Sequence, residues 1–350
     1  MAIEQTAELE AILQETFDSG ASDAFLIPGE PVSFRKRGTI TRKDGEPLTA
    51  EQIRAIAIAA VGEETVQRIG PQEAEIRTSC VLPGVMDGRL TIARAAGQLT
   101  IAIAVCPATI MPVEKTGLPD AMVKAAESGH GLVVVAGLQG SGKMTCALAL
   151  LDHLNATDPC HICTVQEPIW PHLTPKQAIV QQREVGVDVP DVVSGIRAAM
   201  RQDMDVLFVD EMKRAEEVSA VLAAADTGHM VITTAHGGSP EDVIQRFLDV
   251  YPESDLDAAR RRLARVLRGV SVQRLLLKAE GKGRAAAYGV LIPDEETRTA
   301  ILQGQELAAR TSPPPAGSQS LADDIVRLRD EGTVDSQAAS DALASLDAAP

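Results

Sequence analysis

Aromatic residues and cysteines are scarce in this sequence. Phe, Tyr and Trp make up 2% of the 350 residues, whereas hydrophobic residues as a whole make up 45%. The core must therefore be built from aliphatic side chains, and an aromatic platform for stacking bases is not expected. The five cysteines lack framework spacing, which is typical of a reducing cytosol. Cys160 and Cys163 are spaced as C-x-x-C, but no second pair completes a zinc site, so we predict a structural role for them.

Basic residues are outnumbered by acidic ones. The chain has 33 Lys and Arg against 49 Asp and Glu, which gives a net charge of −16. Because a basic face supplies most of the affinity for nucleic acid, no nucleic-acid partner is expected. No apolar run approaches the ~18–20 residues of a membrane span, and the acidic start MAIEQTAELE does not resemble a signal peptide. These features predict a cytoplasmic protein.

Hydrophobic patterning predicts a smaller N-terminal α+β domain followed by an α/β domain. The first begins with a helix over about 4–18, and Thr49 and Gln52 form a capping box for a second helix. From residue 119 onwards, apolar strands such as LVVVA, DVLFVD and MVITTA alternate with helical segments, which predicts a parallel sheet covered on both faces. The predicted parts are an N-terminal domain over 1–108, a connector over 109–118, an α/β domain over 119–310, a Pro-rich linker over 311–318 and a helical tail over 319–350.

The segment GLQGSGKMT, residues 137–145, matches a phosphate-binding loop except at one position. The residues that fit are Gly137, Gly140, Ser141, Gly142 and Lys143. The glycines let backbone N–H groups turn toward phosphate oxygens, and the lysine reaches the β- and γ-phosphates. Because the loop follows an apolar strand and opens a helix, as this mechanism requires, we predict nucleotide binding.

The next position of the motif should carry the hydroxyl that binds Mg²⁺. It is Met144, whose thioether offers nothing to a hard cation. Thr145 is not a simple substitute, because one step along a helix rotates a side chain by ~100°. We therefore expect nucleotide binding to survive better than hydrolysis.

Polar residues follow two later strands of the predicted sheet. Asp210 and Glu211 end the strand DVLFVDEM, where a phosphate-loop enzyme holds Mg²⁺ and orients water. His229 and His236 flank the next strand and could sense a γ-phosphate, although a structural role is an equal alternative for each. Asp210 is our candidate Mg²⁺ ligand, directly or through water.

These motifs together resemble the PilT-type twitching-motility ATPases, the retraction motors of type IV pili, within the secretion-ATPase superfamily. The resemblance runs nearly end to end. It is carried by GASDAFLIPGEPVSFRKRG, by the loop segment GLVVVAGLQGSGK, by TVQEPI at the Asp box, by IRAAMRQDMDVLFVDEM at the Walker B block, by DTGHMVITTAH at the His box and by the tail LADDIVRLRDEGTVDSQAASDAL.

The resemblance implies a PAS-like N-terminal domain and a RecA-like C-terminal domain. It implies a hexameric ring that binds ATP with Mg²⁺, with Glu211 activating the attacking water and Glu167 as the remaining carboxylate of the Asp box. The implied partners are further copies of the chain and an inner-membrane pilus platform protein. A paralogous motor ATPase is a partner only if the chain is a regulatory paralogue. The implied location is the cytoplasmic side of the inner membrane, through the pilus machinery.

The chain departs from the family pattern at several positions. The Asp box keeps one of three carboxylates, and Gly97 and Ala104 stand at the places of two arginines, with Arg89 and Arg94 nearby. A C-terminal motif linked to retraction keeps only Arg298. Three functions therefore stay open: an active retraction ATPase, an impaired paralogue that regulates or co-assembles with an active motor, and another secretion-system ATPase. The absence of a four-cysteine zinc insert disfavours the third.

Overall fold

The computed structural model describes residues 7–36, 39–82, 85–107, 109–212, 214–305, 307 and 314–347. These residues divide into two compact units. One unit takes in Met1–Ile110 and Gln166–Leu173, and the other takes in Met111–Val165 and Thr174–Pro350. The start of the predicted first helix and residues 311–313 of the predicted linker lie outside the described residues. The domain boundaries stay a prediction.

The first unit is an antiparallel sheet with helices. Its helices are α1 (Ala7–Asp18), α2 (Ala50–Val61) and α3 (Glu63–Arg68), and its strands are β1 (Asp23–Leu26), β2 (Ser33–Lys36), β3 (Thr39–Arg42), β4 (Glu75–Leu82), β5 (Met86–Ala95) and β6 (Gln98–Pro107). The described strands pair in the order β3-β2-β1-β6-β5-β4, and every pair is antiparallel.

The predicted start of α2 is confirmed. The Thr49 hydroxyl accepts a hydrogen bond from the backbone N–H of Gln52 at 3.2 Å, and the Gln52 side chain accepts one from the backbone N–H of Thr49 at 2.9 Å. This reciprocal pairing satisfies two donors that a helix otherwise leaves free at its first turn. Leu48 and Ile53, on either side of the cap, are buried in the core of the unit.

The second unit is a sheet flanked by helices. Its strands are β7 (Gly131–Gly137), β8 (His161–Gln166), β9 (Ile179–Glu184), β10 (Val206–Val209), β11 (Met230–Ala235), β12 (Leu267–Leu277) and β13 (Arg284–Leu291). Its helices are α4 (Val113–Thr116), α5 (Asp120–Glu127), α6 (Lys143–Thr157), α7 (Val192–Met200), α8 (Ala215–Asp226), α9 (Pro240–Asp249), α10 (Glu253–Val266), α11 (Glu295–Gln303), α12 (Leu321–Asp330) and α13 (Ser336–Asp347).

The described strands of this unit pair in the order β13-β12-β7-β11-β10-β8-β9. β12, β7, β11, β10 and β8 run parallel, as the apolar strand pattern predicts. β13 returns antiparallel to β12, so the sheet is mixed. The difference arises because residues 278–283 are polar and glycine-rich, which suits a turn between neighbouring antiparallel strands better than a helical crossover.

Aliphatic side chains fill the core of this unit, as the composition requires. Every residue of β7 and β11 is buried. The predicted stripe on α8 is also confirmed, since Val218, Val221, Leu222 and Ala225 are buried. None of the helices in the described part of the chain is both long and apolar enough to cross a membrane.

The tail helices α12 and α13 pack against β12 and β13. Their contact buries a cluster that includes Leu276, Ile325 and Leu328. The Asp324 carboxylate is buried there and accepts the backbone N–H of Tyr288 at 2.8 Å, while Arg327 donates to it at 2.7 Å. Because a buried carboxylate needs such partners, the bond from Tyr288 to Asp324 holds α12 at one position on β13.

Candidate nucleotide site

The phosphate-binding loop connects the buried strand β7 to the helix α6. Gly137, Gly140 and Gly142 have φ angles of 152°, 74° and 87°, a region that residues with a side chain rarely adopt. A Cβ at Gly137 would also collide with Oγ of Ser141 and approach the Gln273 carbonyl to 2.6 Å. The glycine pattern is therefore required by the backbone itself, and the loop has the close packing expected of a phosphate cradle.

Lys143, His236 and Glu211 form a continuous chain of polar contacts beside the loop. Nζ of Lys143 lies 3.4 Å from Nδ1 of His236, and Nε2 of the same imidazole lies 3.1 Å from Oε1 of Glu211. A lysine ammonium can only donate, so Nδ1 accepts and Nε2–H donates to the carboxylate. The contacts thus assign a proton to Nε2 of His236.

Burial lowers the pKa of Lys143, while the nearby charges of Glu211 and Asp210 act in the opposite direction. The ammonium is therefore partly removed from water and faces two carboxylates. A lysine in this setting gains from an anionic ligand, because phosphate oxygens replace the lost hydration.

Asp210 is held by its neighbours in the sheet. Its Oδ1 accepts hydrogen bonds from the Thr234 hydroxyl at 3.0 Å and from the backbone N–H of Glu211 at 2.8 Å. Thr234 lies on β11, two residues before His236, and was not among the residues that the sequence singled out. Its position is explained by the pairing of β10 with β11, in which Val209 lies opposite Thr233 and the next residues, Asp210 and Thr234, lie side by side.

The sheet topology explains why these residues meet. β10 lies parallel to β11, and β11 lies parallel to β7 with Ala235 opposite Ala136. Parallel strands end at the same edge, so the loop after β7, the acids after β10 and His236 after β11 are placed together. This is the edge at which α/β proteins bind their ligands.

His229 is not brought into this cluster. It precedes β11, and its Nδ1 lies 3.0 Å from the carbonyl oxygen of Ala224, at the C-terminal end of α8. Its own carbonyl accepts the N–H of Gly131, where β7 begins. The six residues of β11 lie between His229 and His236, so the two are roughly 23 Å apart along the strand at ~3.3 Å per residue step. The role of His229 in sensing a γ-phosphate stays a prediction, because His229 lies far from the phosphate loop of its own chain.

Met144 and Thr145 occupy the second and third positions of α6. Met144 is half-buried and Thr145 is exposed. The hydroxyl that the motif normally provides is thus absent from position 144. The protein groups beside the loop that could bind Mg²⁺ are therefore carboxylates, and Asp210 is the main candidate. A carboxylate combined with nucleotide phosphates and water is a common coordination for this ion, so the residues present fit it.

The Asp-box segment belongs to the first unit, where Asp87 of β5 holds it. Oδ2 of the buried Asp87 accepts the backbone N–H of His172 at 2.6 Å, and the Asp87 carbonyl accepts the indole N–H of Trp170 at 3.3 Å. The Arg89 guanidinium lies 5.3 Å from the centre of the Trp170 ring. Glu167 is carried by this segment and is exposed, and its catalytic role stays a prediction.

Two of the arginines noted in the sequence have structural partners. Arg94 donates to the carbonyls of Ile69 at 2.8 Å and Gly97 at 3.1 Å. Arg298 on α11 donates to the carbonyls of Ala264, Leu267 and Pro293, at 3.0 Å for the second of these. The retained arginine of the C-terminal motif therefore satisfies two carbonyl groups at the end of α10 and one just before α11.

The four described cysteine side chains are buried, and these include Cys160 and Cys163, for which a structural role is predicted. Burial raises the pKa of Cys146 and Cys80 to about 12 and that of Cys160 to about 11. No group of three His, Cys, Asp or Glu side chains that could hold a metal occurs among the residues the structure describes.

A glycine loop between a buried strand and a helix, with a lysine and an acid pair at the same edge, defines a P-loop protein of the α/β class. Within that class, the chain belongs to the family described as "Type II/IV secretion system protein", which matches residues 3–310. The predicted resemblance and fold class are both confirmed by the comparisons that follow.

The chain is 33% identical to the type IV pilus retraction ATPase PilT of Pseudomonas aeruginosa, over 84% of this chain and 85% of that protein. It is 30% identical to a twitching motility protein of Neisseria gonorrhoeae, over 81% and 74% of the two chains. A crystal structure of the pilus retraction motor PilT with bound ADP matches with a TM-score of 0.83 and 33% identity, covering 95% of both chains.

Proposed function

We propose that this protein is an ATP-binding and ATP-hydrolysing motor of the type IV pilus retraction type. The observation that carries the proposal is the contact chain from Lys143 through His236 to Glu211 at the mouth of the phosphate loop. It places the group that holds phosphate beside the group that orients water, and phosphoryl transfer to water depends on the positions of both. Similarity to the PilT motor with bound ADP supports the same function.

Each residue of this site would have a separate role in ATP hydrolysis. The loop N–H groups and Lys143 would hold the nucleotide phosphates. Glu211 would accept a hydrogen bond from the attacking water and take its proton as the general base. His236 donates to Glu211 through Nε2–H and so fixes the direction of that carboxylate. Bound Mg²⁺ would supply charge neutralisation of the phosphates, with Asp210 as its protein ligand.

The support for a wider assembly comes from the family rather than from the structure of one chain. We propose a hexameric ring of this chain that acts on an inner-membrane pilus platform protein and is therefore located at the cytoplasmic face of the inner membrane. A paralogous motor ATPase is a further partner. The acidic net charge of −16 supports a protein partner over nucleic acid.

One observation favours a second function, that of an impaired paralogue which binds nucleotide and regulates an active motor. The hydroxyl that normally holds Mg²⁺ is replaced by Met144, while the loop glycines and Lys143 are intact. Losing one well-placed stabiliser of transition-state charge typically costs ~10²–10³ in rate. Binding would then persist with little turnover.

Steady-state ATP hydrolysis with Mg²⁺ decides between these functions when the purified protein is compared with its Lys143→Ala and Met144→Ser variants. Turnover that disappears in Lys143→Ala supports a motor that works without the usual hydroxyl. Turnover found only in Met144→Ser supports the regulatory function. Nucleotide binding that Lys143→Ala leaves unchanged contradicts both.

A further inference from the structure

Gln273 of β12 lies directly against the phosphate loop. β12 pairs with β7 in parallel, and Gln273 is opposite Gly137, the last residue of β7 and the first of the loop motif. A Cβ added to Gly142 would lie 2.9 Å from the Gln273 amide nitrogen and 3.4 Å from Cδ1 of Leu275. The Gln273 side chain therefore occupies the space beside the final glycine, immediately before Lys143.

Three buried polar side-chain atoms near the loop lack a hydrogen-bond partner within the described part of the chain. They are Oγ of Ser141, Oγ of Ser271 and Oε1 of Gln273, and each of these residues is more than nine-tenths buried. Ser271 and Gln273 lie two residues apart on β12 and so point to the same face. Unpaired buried polar atoms are rare and costly, so the two that lie against the loop glycines, in Ser141 and Gln273, indicate a function there. Ser271 lies opposite Val135, two residues farther back along the strand.

The strand β12, which carries Gln273, is fixed by contacts with β13 and with the tail helix α13. Tyr288 of β13 is its antiparallel partner, and the Tyr288 hydroxyl donates to the carbonyl of Thr116 at 2.9 Å. The next residue, Arg274, donates to the carbonyl of Ala342 at 3.2 Å and to the hydroxyl of Ser345 at 2.6 Å in the tail helix α13. A side chain on a strand fixed in this way can act as a rigid support for its neighbour.

We propose that Gln273 is a positioning residue for the phosphate loop, and that its amide sets the backbone of Gly142 so that the loop N–H groups converge on the diphosphate of a nucleoside diphosphate or triphosphate. This inference rests on the proposed nucleotide-binding function. Gln273 acts through the loop. Loss of its amide should therefore weaken the affinity for ligands that carry a β-phosphate and leave the affinity for a nucleoside monophosphate unchanged.

Gln273→Met is the informative variant, because methionine keeps the length of the side chain and removes the amide. Ser271→Ala is the matched control, since it removes another unpaired polar atom of the same strand farther from the loop. Full-length proteins are titrated with mant-ADP in the presence of Mg²⁺, and AMP is titrated by calorimetry. Backbone hydrogen exchange in the peptide covering 138–146 is measured without nucleotide.

We expect Gln273→Met to weaken mant-ADP binding by about tenfold or more, with AMP binding unchanged and the melting temperature preserved. Exchange in 138–146 should rise in Gln273→Met and not in Ser271→Ala. Wild-type exchange and wild-type mant-ADP affinity in Gln273→Met would overturn the inference. An equal loss for AMP would also overturn it, because that result indicates a general structural role.

The two proposals fail in distinguishable ways. If the wild-type protein binds no mant-ADP, or if Lys143→Ala binds it equally well, the proposed function is wrong. Hydrogen exchange in the nucleotide-free protein still decides whether Gln273 positions the loop, because that measurement needs no ligand.

Discussion

Nε2 of His236 lies 3.1 Å from Oε1 of Glu211, although 24 residues of chain separate them. The pair forms because β10 and β11 are parallel neighbours that end at one edge of the sheet. The imidazole is oriented at its other nitrogen by Lys143. The contact between His236 and Glu211 therefore links the phosphate-binding lysine to the carboxylate that is proposed to orient water.

Glu211→Gln should remove hydrolysis and preserve binding. The amide cannot accept the proton of an attacking water, and loss of general-base catalysis typically costs ~10²–10⁴ in rate. Its shape is unchanged, so mant-ADP affinity should stay close to that of the wild type. Glu216→Gln removes the same charge from an exposed position on α8 and serves as the control. Equal turnover in Glu211→Gln and Glu216→Gln would exclude Glu211 as the base.

Asp210→Gly should raise the Mg²⁺ concentration needed for half-maximal nucleotide binding. If this carboxylate contributes about 1.4 kcal/mol to binding the ion, the shift is roughly tenfold. Asp210→Asn separates charge from architecture, because its side-chain oxygen can still accept from Thr234 and from the Glu211 N–H. An unchanged Mg²⁺ dependence in Asp210→Gly contradicts the assignment.

The same experiment in a Met144→Ser background measures whether Asp210 compensates for the missing hydroxyl. If it does, removing the carboxylate should matter less once the serine hydroxyl is present, and the two effects will not add. Additive effects would show that Asp210 and position 144 act independently.

The sequence predicted the parts of the site that local chemistry determines. The glycine pattern, the lysine that follows it and the acids after an apolar strand can all be recognised in the sequence. Thr234 and Gln273 could not be found in this way, because neither forms a motif and both act through strand neighbours far away in sequence. The failure to bring His229 to the cluster has a related cause, since a histidine before a strand and one after it lie at opposite ends of the sheet.

Arg298→Ala should destabilise the second unit. Its guanidinium is half-buried and donates to the carbonyls of Ala264, Leu267 and Pro293, and its burial lowers the pKa of the group. Leaving such carbonyls unpaired typically costs about 1–3 kcal/mol. The melting temperature should fall by roughly 2–10 °C.

Arg298→Lys provides the matched control for this effect. Lysine keeps the charge but lacks the planar fork that reaches several carbonyls at once, so an intermediate melting temperature is expected. A wild-type melting temperature in Arg298→Ala would show that this residue is retained for a reason other than stability.

Alkaline pH should destabilise the protein through its buried thiols. The pKa of Cys146 is raised from an ordinary 9.0 to about 12, because burial disfavours the thiolate. The thiol stays protonated in the folded chain and ionises in the unfolded chain, so the stabilisation is complete below pH 9 and declines as pH rises toward 12. Between pH 8 and pH 10 this one group should cost about 1 kcal/mol of unfolding free energy.

Cys146→Ala isolates that contribution, because it removes the titrating group and little volume. Urea unfolding of both proteins, followed by circular dichroism under reducing conditions, gives the difference in unfolding free energy at pH 8, 9 and 10. We expect the stability advantage of the wild type over Cys146→Ala to shrink steadily across this range, since only the wild type loses the thiol contribution. A difference that is constant with pH would mean that the Cys146 pKa is not raised in the fold, and therefore that the start of α6 is more open to water than its packing against Tyr288 indicates.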